Sequence, residues 1–211
     1  MFWQMARPML WVLLAYIPWL WAYSVPLTGD QKTYISIAQE LIESHTWLQP
    51  IYLGEPCYFK LLLQYWSTLL SWKVLGISWF ATLLPSVICL LITAALLNWI
   101  SRKQKGRGQA GIWFAAMACT MTYATTAQME IYLVCLSTVG WASIFQWDES
   151  RRQRYLYLAF VAIGLLALVK SPLHAVLMTV SVSVWLLATR RHAFRNIHLY
   201  LALVLGICAG L

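Results

Sequence analysis

The sequence predicts an all-α, polytopic transmembrane helical bundle of about seven spans, with amphipathic juxtamembrane helices in its first outer loop. Three observations lead there. Of 211 residues, 61% are hydrophobic and 10% charged, against about 25% charged in ordinary soluble domains, and this excludes a water-soluble core. Apolar runs long enough to cross a hydrocarbon layer of about 30 Å recur along the chain. The basic residues sit in short clusters between those runs, at Arg102, Lys103, Lys105 and Arg107, at Arg151, Arg152 and Arg154, and at Arg190, Arg191 and Arg195. The net charge of +8 therefore describes topology, and nucleic acid is not a partner.

If those clusters and Arg7 are cytoplasmic by the positive-inside rule, 11 of the 15 basic residues lie inside, and Lys32, Lys60, Lys73 and Lys170 lie outside. The acidic residues divide the other way. Asp30, Glu40, Glu43, Glu55 and Glu130 fall outside, and Asp148 and Glu149 inside. The expected localisation is an integral, multi-pass protein of a bacterial inner membrane with its N-terminus in the cytoplasm.

The first apolar run, 8–26, is too long and too rich in tryptophan for a signal peptide, and reads as a retained first span. The remaining expected spans are 79–100, 109–126, 130–147, 155–170, 172–189 and 197–211, the third and fourth forming a tight antiparallel pair joined around Gln128. Leu211 closes an apolar run with no flanking charge, so residues 1–211 are expected to be the truncated N-terminal transmembrane portion of a longer protein. Cys89, Cys119, Cys135 and Cys208 lie within apolar runs and read as small buried hydrophobes; with Cys57 they form no metal or disulfide pattern.

The stretch 27–78 is different, an outer loop of a length that usually carries function. Thr28-Gly29-Asp30-Gln31 has the form of a capping box. Beyond it Tyr34, Ile37, Ala38, Leu41 and Ile42 recur at helical spacing, with Ser36, Gln39, Glu40 and Glu43 on the other side. A second helical segment, Tyr58 to Trp72, places Phe59, Leu62, Leu63, Trp66, Leu69 and Leu70 on one face. Gln49-Pro50 and Gly54-Glu55-Pro56 between the two read as turns.

Four charged residues in this pattern have a chemical reading and a structural one. Asp30 shares a helical stripe with Tyr34, Ile37 and Leu41, so it faces the membrane-embedded body and can serve as a base; or it complements a helix N-terminus, worth about 0.3–1 kcal/mol. Glu130 stands at the outer end of the fourth span, where an ionisable group is a functional hypothesis by default, or is a solvated boundary residue. Lys60, among Phe59, Leu61, Leu62 and Leu63, can hold a phosphate as a point charge or can snorkel. Lys170, before Ser171-Pro172, has the same two readings. His45, His174, His192 and His198 show no paired metal-ligand spacing.

The run GDQKTYISIAQELIESHTWLQPIYLGEPCYFKLLLQYWSTLLSWKVLGISWFATLLPSV, with YATTAQMEIYLV and LALVKSPLHAVL further on, resembles the first outer loop and following spans of the dolichyl-phosphate-mannose-protein mannosyltransferase and lipid A aminoarabinose transferase superfamily, glycosyltransferases of the GT-C class. The resemblance covers nearly the whole chain but only the N-terminal part of a typical member. It implies a catalytic outer loop over 27–78, catalytic roles for Asp30 and Glu130, binding of a polyprenyl-phosphate donor by Lys60 and Lys170, and a substrate cavity shaped by Tyr34, Glu55 and Tyr58. It also implies a divalent metal shared by Asp30 and Glu130. The implied activity is transfer of a glycosyl group from a polyprenyl-phosphate-linked sugar to a lipid, glycan or protein acceptor on the outer face, among membrane lipids. The chain departs from the family pattern at Gln31, Leu83 and Thr125, where charged residues are usual, and at Phe59 and Leu61-Leu62 around Lys60. Those departures keep an alternative open, a non-catalytic protein that binds a polyprenyl lipid or a partner subunit. A secondary transporter is the weaker rival, since no pair of Gly/Pro-broken spans occupies corresponding halves.

Overall fold

The computed structural model describes residues 10, 14, 16, 17, 29–44, 46–57 and 62–211, with the backbone alone at 29–31 and 118. The expected first span, 8–26, falls mostly outside them. The chain divides into two compact units, Met1–Tyr132 and Leu133–Leu211. Among the described residues nearly every element is a helix.

In the first unit, α1 (Gly29–Glu43) begins where the capping box predicts. Its inner stripe is the expected one, with Tyr34, Ile37, Ala38 and Leu41 buried, whereas Ile42 is exposed. A two-residue hairpin follows, β1 (Ile51–Tyr52) paired antiparallel with β2 (Glu55–Pro56). Its turn is Leu53-Gly54, both at positive φ (54° and 81°), the conformation a tight primed hairpin turn requires. The turn expected at 54–56 therefore sits one residue earlier, and Glu55 and Pro56 belong to a strand. The Leu53 N–H donates to Glu40 Oε1 at 3.0 Å, tying the hairpin to α1.

Next comes α2 (Leu63–Leu75). Its packed side is Gln64, Tyr65, Thr68, Leu69, Ser71 and Trp72, while Leu70, from the apolar face read in the sequence, is 65% exposed. The physical reason is the solvent. Where lipid surrounds a helix, apolar side chains lose nothing by facing outward, and polar ones must find partners inside the protein.

Gly76 at φ 78° turns the chain into α3 (Trp79–Lys103), capped by Ser78 Oγ accepting from the Ala81 N–H. It has the same inverted character, with Thr82, Ser86, Thr93 and Asn98 buried and Phe80, Ile88 and Ile92 exposed. The expected single span 109–126 is broken. It forms α4 (Ala110–Ala116) and α5 (Ala118–Thr125), separated by an extended Met117. No proline or glycine announces the break. Gly111 lets α4 rest on α3, for a Cβ there would lie 1.9 Å from the Ala94 carbonyl oxygen, and its N–H donates to buried Asn98 Oδ1 at 2.7 Å. A second break at 126–129, with Ala127 at φ 50°, leads into α6 (Glu130–Ser150).

The second unit takes α6 from Leu133 onward, then α7 (Arg154–Val169), α8 (Pro172–Thr189), a 3₁₀ turn (Arg191–Arg195) and α9 (Ile197–Gly210). Its core joins Ile144, Trp147, Leu156, Phe160, Ile163, Leu166, Val182, Leu186 and Ala202. The closest approach is α7 on α9. A Cβ on Gly164 would lie 1.9 Å from the Gly206 carbonyl oxygen, and one on Gly210 would lie 2.7 Å from that of Gly164. This small-residue crossing belongs to helices packed in lipid, where van der Waals contact replaces the hydrophobic drive. At one end of this unit Asp148 receives Arg190 in a fork, 2.6 Å from Nε and 3.1 Å from Nη2, and pairs with Arg151 at 3.1 Å. The clusters at 151–154 and 190–195 thus share one end, as their common topology predicts, and Lys170 lies beyond the opposite end of α7. The fork holds the Arg190 guanidinium above its usual range, through the hydrogen bond and the charge of Asp148.

Large apolar side chains face outward along α8 and α9, including Leu173, Val176, Val180, Val184, Ile197, Leu201 and Val204. Among the described residues, α3 and α8 are long and apolar enough to cross a membrane, and a third span arises if the pair broken at 126–129 counts as one; α7 and α9 are apolar but shorter. The architecture is a helical bundle with membrane-capable helices.

Replacing Gly164 with Ala should force α7 off α9 and lower the midpoint of thermal unfolding in detergent, a cost of about 1–3 kcal/mol from overpacking. Gly140→Ala is the comparison and should lose less, because the nearest atom to its Cβ would be the flexible Met178 Cε tip at 3.2 Å, with Ile163 Cγ1 and the Ala159 carbonyl at ordinary contact distances of 3.5 and 3.8 Å.

Candidate functional site around the buried polar face of α2

The first unit is organised on α2. On one side the Tyr34 ring of α1 meets the Tyr65 ring edge-on, with centroids 6.4 Å apart and an interplanar angle of 61°. On another, the Trp72 indole N–H donates to Thr82 Oγ1 at 2.9 Å, and that hydroxyl donates in turn to the Ser78 carbonyl at 2.8 Å. A third set of contacts reaches the break before α6. Gln64 Nε2 donates to the Ala127 carbonyl, and Ser67 Oγ lies 2.9 Å from Tyr132 OH. Ser67 also sits 2.7 Å from the Gln64 carbonyl. A hydroxyl has one proton to give, so with Ser67 donating to that carbonyl, Tyr132 is the donor to Ser67.

These contacts bracket Glu130. Ala127 is held three residues before it and Tyr132 two residues after it, both by side chains from one face of α2. Glu130 is the first residue of α6, where a carboxylate is favoured by the helix dipole, and its Oε2 is buried. Asp30 lies in the first turn of α1, on a helix that packs on α2.

A cavity of about 10 Å³ is lined by Tyr34, Ile35, Gln64, Tyr65, Thr68, Thr82 and Ala127, room for about one water molecule. Gln64 and Tyr65 are 2% and 1% exposed, and Gln64 Oε1 and Tyr65 OH have no hydrogen-bond partner among the described residues. Burial, followed by smaller contributions from Cys57 and Tyr34, pushes the Tyr65 phenol above its usual range. It is a neutral hydroxyl at any physiological pH.

The other sequence candidates are placed as follows. Glu55 is exposed in β2, opposite Tyr52. Lys170 belongs to the second unit, exposed just before the Ser171 cap of α8, where Ser171 Oγ lies 3.0 Å from His174 Nδ1. Tyr58, Lys60 and His45 lie outside the described residues, as does the Asp30 side chain. Of the departures from the family pattern, Leu83 is fully buried in α3, and the buried Thr125 hydroxyl donates to the Met121 carbonyl at 2.7 Å. Both are committed to packing. Among the described residues no three His, Cys, Asp or Glu side chains converge on a point where a metal ion could sit.

The sequence reading missed Gln64, Ser67, Thr82 and Tyr132. The signal was present as a polar stripe, Gln64, Ser67, Thr68 and Ser71, at three- and four-residue spacing within an otherwise apolar helix.

Residues 60–210 match the sequence family described as dolichyl-phosphate-mannose-protein mannosyltransferase. The chain belongs to that family. Among relatives of this mannosyltransferase-family chain, an undecaprenyl phosphate-alpha-4-amino-4-deoxy-L-arabinose arabinosyl transferase 2 of Sodalis glossinidius (strain morsitans) is 26% identical over 171 residues, 77% of this chain and 31% of the relative. The corresponding transferase of Edwardsiella ictaluri (strain 93-146) is 30% identical over 99 residues, 44% of this chain and 18% of the relative. The crystal structure of ArnT from Cupriavidus metallidurans bound to undecaprenyl phosphate superposes with a TM-score of 0.83 at 17% identity, over 97% of this chain and 39% of that one. That likeness shows the fold, a polytopic helical membrane bundle. The chain spans less than a third of the length of these two transferases.

Two outcomes follow from the α2 contacts. Gln64→Leu removes the donor to the Ala127 carbonyl and should destabilise the first unit by about 1–3 kcal/mol, the cost of stranding a buried carbonyl, read as a lower unfolding midpoint in detergent. Tyr65 has an unfolded value near 10 and a folded one above it, so its contribution is intact below about pH 10 and lost as pH rises further. Tyr65→Phe should flatten that alkaline loss of stability, measured by thermal melts from pH 8 to 11.

Proposed function

We propose that this chain is the N-terminal transmembrane portion of a membrane glycosyltransferase that moves a glycosyl group from a polyprenyl-phosphate sugar to a lipid, glycan or protein acceptor on the outer face. The observation that carries the proposal is the family match over residues 60–210. The undecaprenyl phosphate for which the similar transferases are named, and to which the ArnT of Cupriavidus metallidurans is bound, supports a polyprenyl-phosphate donor. In this reading the seven apolar runs are bilayer crossings of a bacterial inner membrane, the N-terminus is cytoplasmic, and 27–78 is the outer catalytic loop.

The chemistry asks for a base and for positive charge. In the proposed assignment Asp30 accepts the proton of the acceptor hydroxyl as its oxygen attacks the anomeric carbon. The bond from that carbon to the phosphate oxygen breaks, and polyprenyl phosphate leaves with the bonding electrons. Lys60 and Lys170 stabilise the departing phosphate as ammonium point charges. Glu130 is the second catalytic carboxylate, held through the flanking contacts of α2, and Tyr34, Glu55 and Tyr58 shape the substrate cavity. A divalent cation bound here would take Asp30, Glu130 and water as oxygen ligands and would polarise the phosphate.

A second reading has one observation in its favour, the commitment of Leu83 and Thr125 to packing where charged residues are usual. It is a protein that holds a polyprenyl lipid or a partner subunit without transferring sugar. Radiolabelled sugar transfer separates the two. In the intact gene product, Asp30→Asn should abolish transfer from a polyprenyl-phosphate sugar, by about a hundredfold or more for loss of a general base, while membrane abundance is unchanged. Wild-type rates in that variant would remove Asp30 from the mechanism, and a wild-type protein that transfers nothing would leave the second reading standing.

A further inference from the structure

On the face of α2 opposite its polar stripe lies a groove of about 350 Å³ lined by Trp47, Trp66, Leu69, Leu70 and Lys73, within the size range of small-ligand sites. Four of these residues, 66, 69, 70 and 73, follow at helical spacing along one side of α2. The fifth, Trp47, forms a wall from the loop after α1. That wall is fixed, because the Trp66 indole N–H donates to the Trp47 carbonyl at 2.8 Å. The loop itself is braced by Ser44 Oγ donating to the Glu40 carbonyl at 2.7 Å and lying 2.7 Å from Thr46 Oγ1.

The lining is apolar and aromatic with a single charge. Trp47 is 49% exposed, and the apolar surface runs on past the groove through exposed Val74, Leu75 and Ile77. An exposed apolar surface of this extent marks contact with lipid or a partner, and tryptophan is the residue of the membrane–water boundary. Lys73 stands at one end of the groove, in the last turn of α2, exposed, and among the described residues no carboxylate lies within ion-pairing distance of it. An apolar trough that ends in one cation complements one kind of molecule, an amphiphile with a hydrocarbon chain and a negative headgroup.

We propose that this groove binds an anionic phospholipid of the bilayer, one acyl chain lying along Trp66, Leu69 and Leu70 beneath Trp47, and the phosphate on the Lys73 ammonium. The site is separate from the residues assigned to sugar transfer and does not depend on that assignment. An anionic lipid is favoured over a zwitterionic one because its phosphate carries no compensating ammonium of its own. Snorkelling by Lys73 over unselected lipid is the competing account.

Native mass spectrometry of the purified protein in detergent, titrated with phosphatidylglycerol or with phosphatidylcholine, tests this. The protein should retain phosphatidylglycerol in preference. Lys73→Gln should reduce that retention by about fivefold, the upper end of what one half-exposed ion pair contributes, and Lys73→Arg should restore it. Leu70→Trp keeps the charge and fills the trough, and should reduce retention as well. Thermal melts confirm that each variant is folded, and both positions are exposed. Equal retention of the two lipids, or undiminished retention in either Lys73→Gln or Leu70→Trp, would overturn the proposal. So would displacement by glycerol phosphate alone, which would mark Lys73 as a site for soluble phosphate.

Discussion

The first unit depends on one constraint, the inward-facing polar side of α2, where Gln64 and Ser67 bond to the chain on either side of Glu130 while Gln64 Oε1 and Ser71 Oγ have no partner among the described residues. In water a helix carrying Gln64, Ser67, Thr68 and Ser71 would turn them outward. Where the outward side meets lipid that choice is costly, since an unpaired amide in hydrocarbon costs several kcal/mol. The stripe turns inward, and its partners are what the fold needs to fix: the Ala127 carbonyl, freed where the chain breaks before α6, and the hydroxyl of Tyr132 one turn later. The polar face of α2 thus replaces hydrogen bonds that a broken helix has lost. In doing so it sets the position of the segment that carries Glu130.

How far this was legible in the sequence varies with the physical signal. Composition and apolar runs sufficed for the class, and the stripe of α1 from Tyr34 to Leu41 was readable because that helix has one apolar side and one charged side. The apolar face of α2 was readable from Trp66, Leu69 and Leu70, but which side of the helix packs was not, because in lipid apolar side chains can face outward, as Leu70 does. The break at Met117 has no local signature in the sequence. The hairpin turn was displaced by one residue, because Leu53 adopts a positive φ that its side chain does not advertise. For the site, the periodicity put Asp30 on the inner stripe and the isolation of Glu130 in an apolar run made it conspicuous. Their roles, and those of Lys60 and Lys170, come from resemblance alone.

The second unit shows a different division of labour. Its basic end is held by Asp148, which satisfies Arg190 through two nitrogens and Arg151 through a third, so an acidic residue in the midst of cations is fully engaged. Nearby, Tyr157 OH meets His198 Nδ1 at 2.8 Å and Asn196 donates to Gln153 at 3.0 Å, joining the start of α7 to the start of α9. The opposite end of α7 carries Lys170, next to the Ser171 hydroxyl that lies 3.0 Å from His174 Nδ1.

The glycine crossing of α7 and α9 has a mechanical consequence. At Gly164, Gly206 and Gly210 the two helices meet backbone to backbone, so the crossing itself has little side-chain freedom with which to relax, and it acts as a splint. Compliance in this unit must reside instead where α8 meets α6, in the Trp141, Phe145 and Trp185 rings at 5.7–6.2 Å spacing and the flexible Met178 beside Gly140.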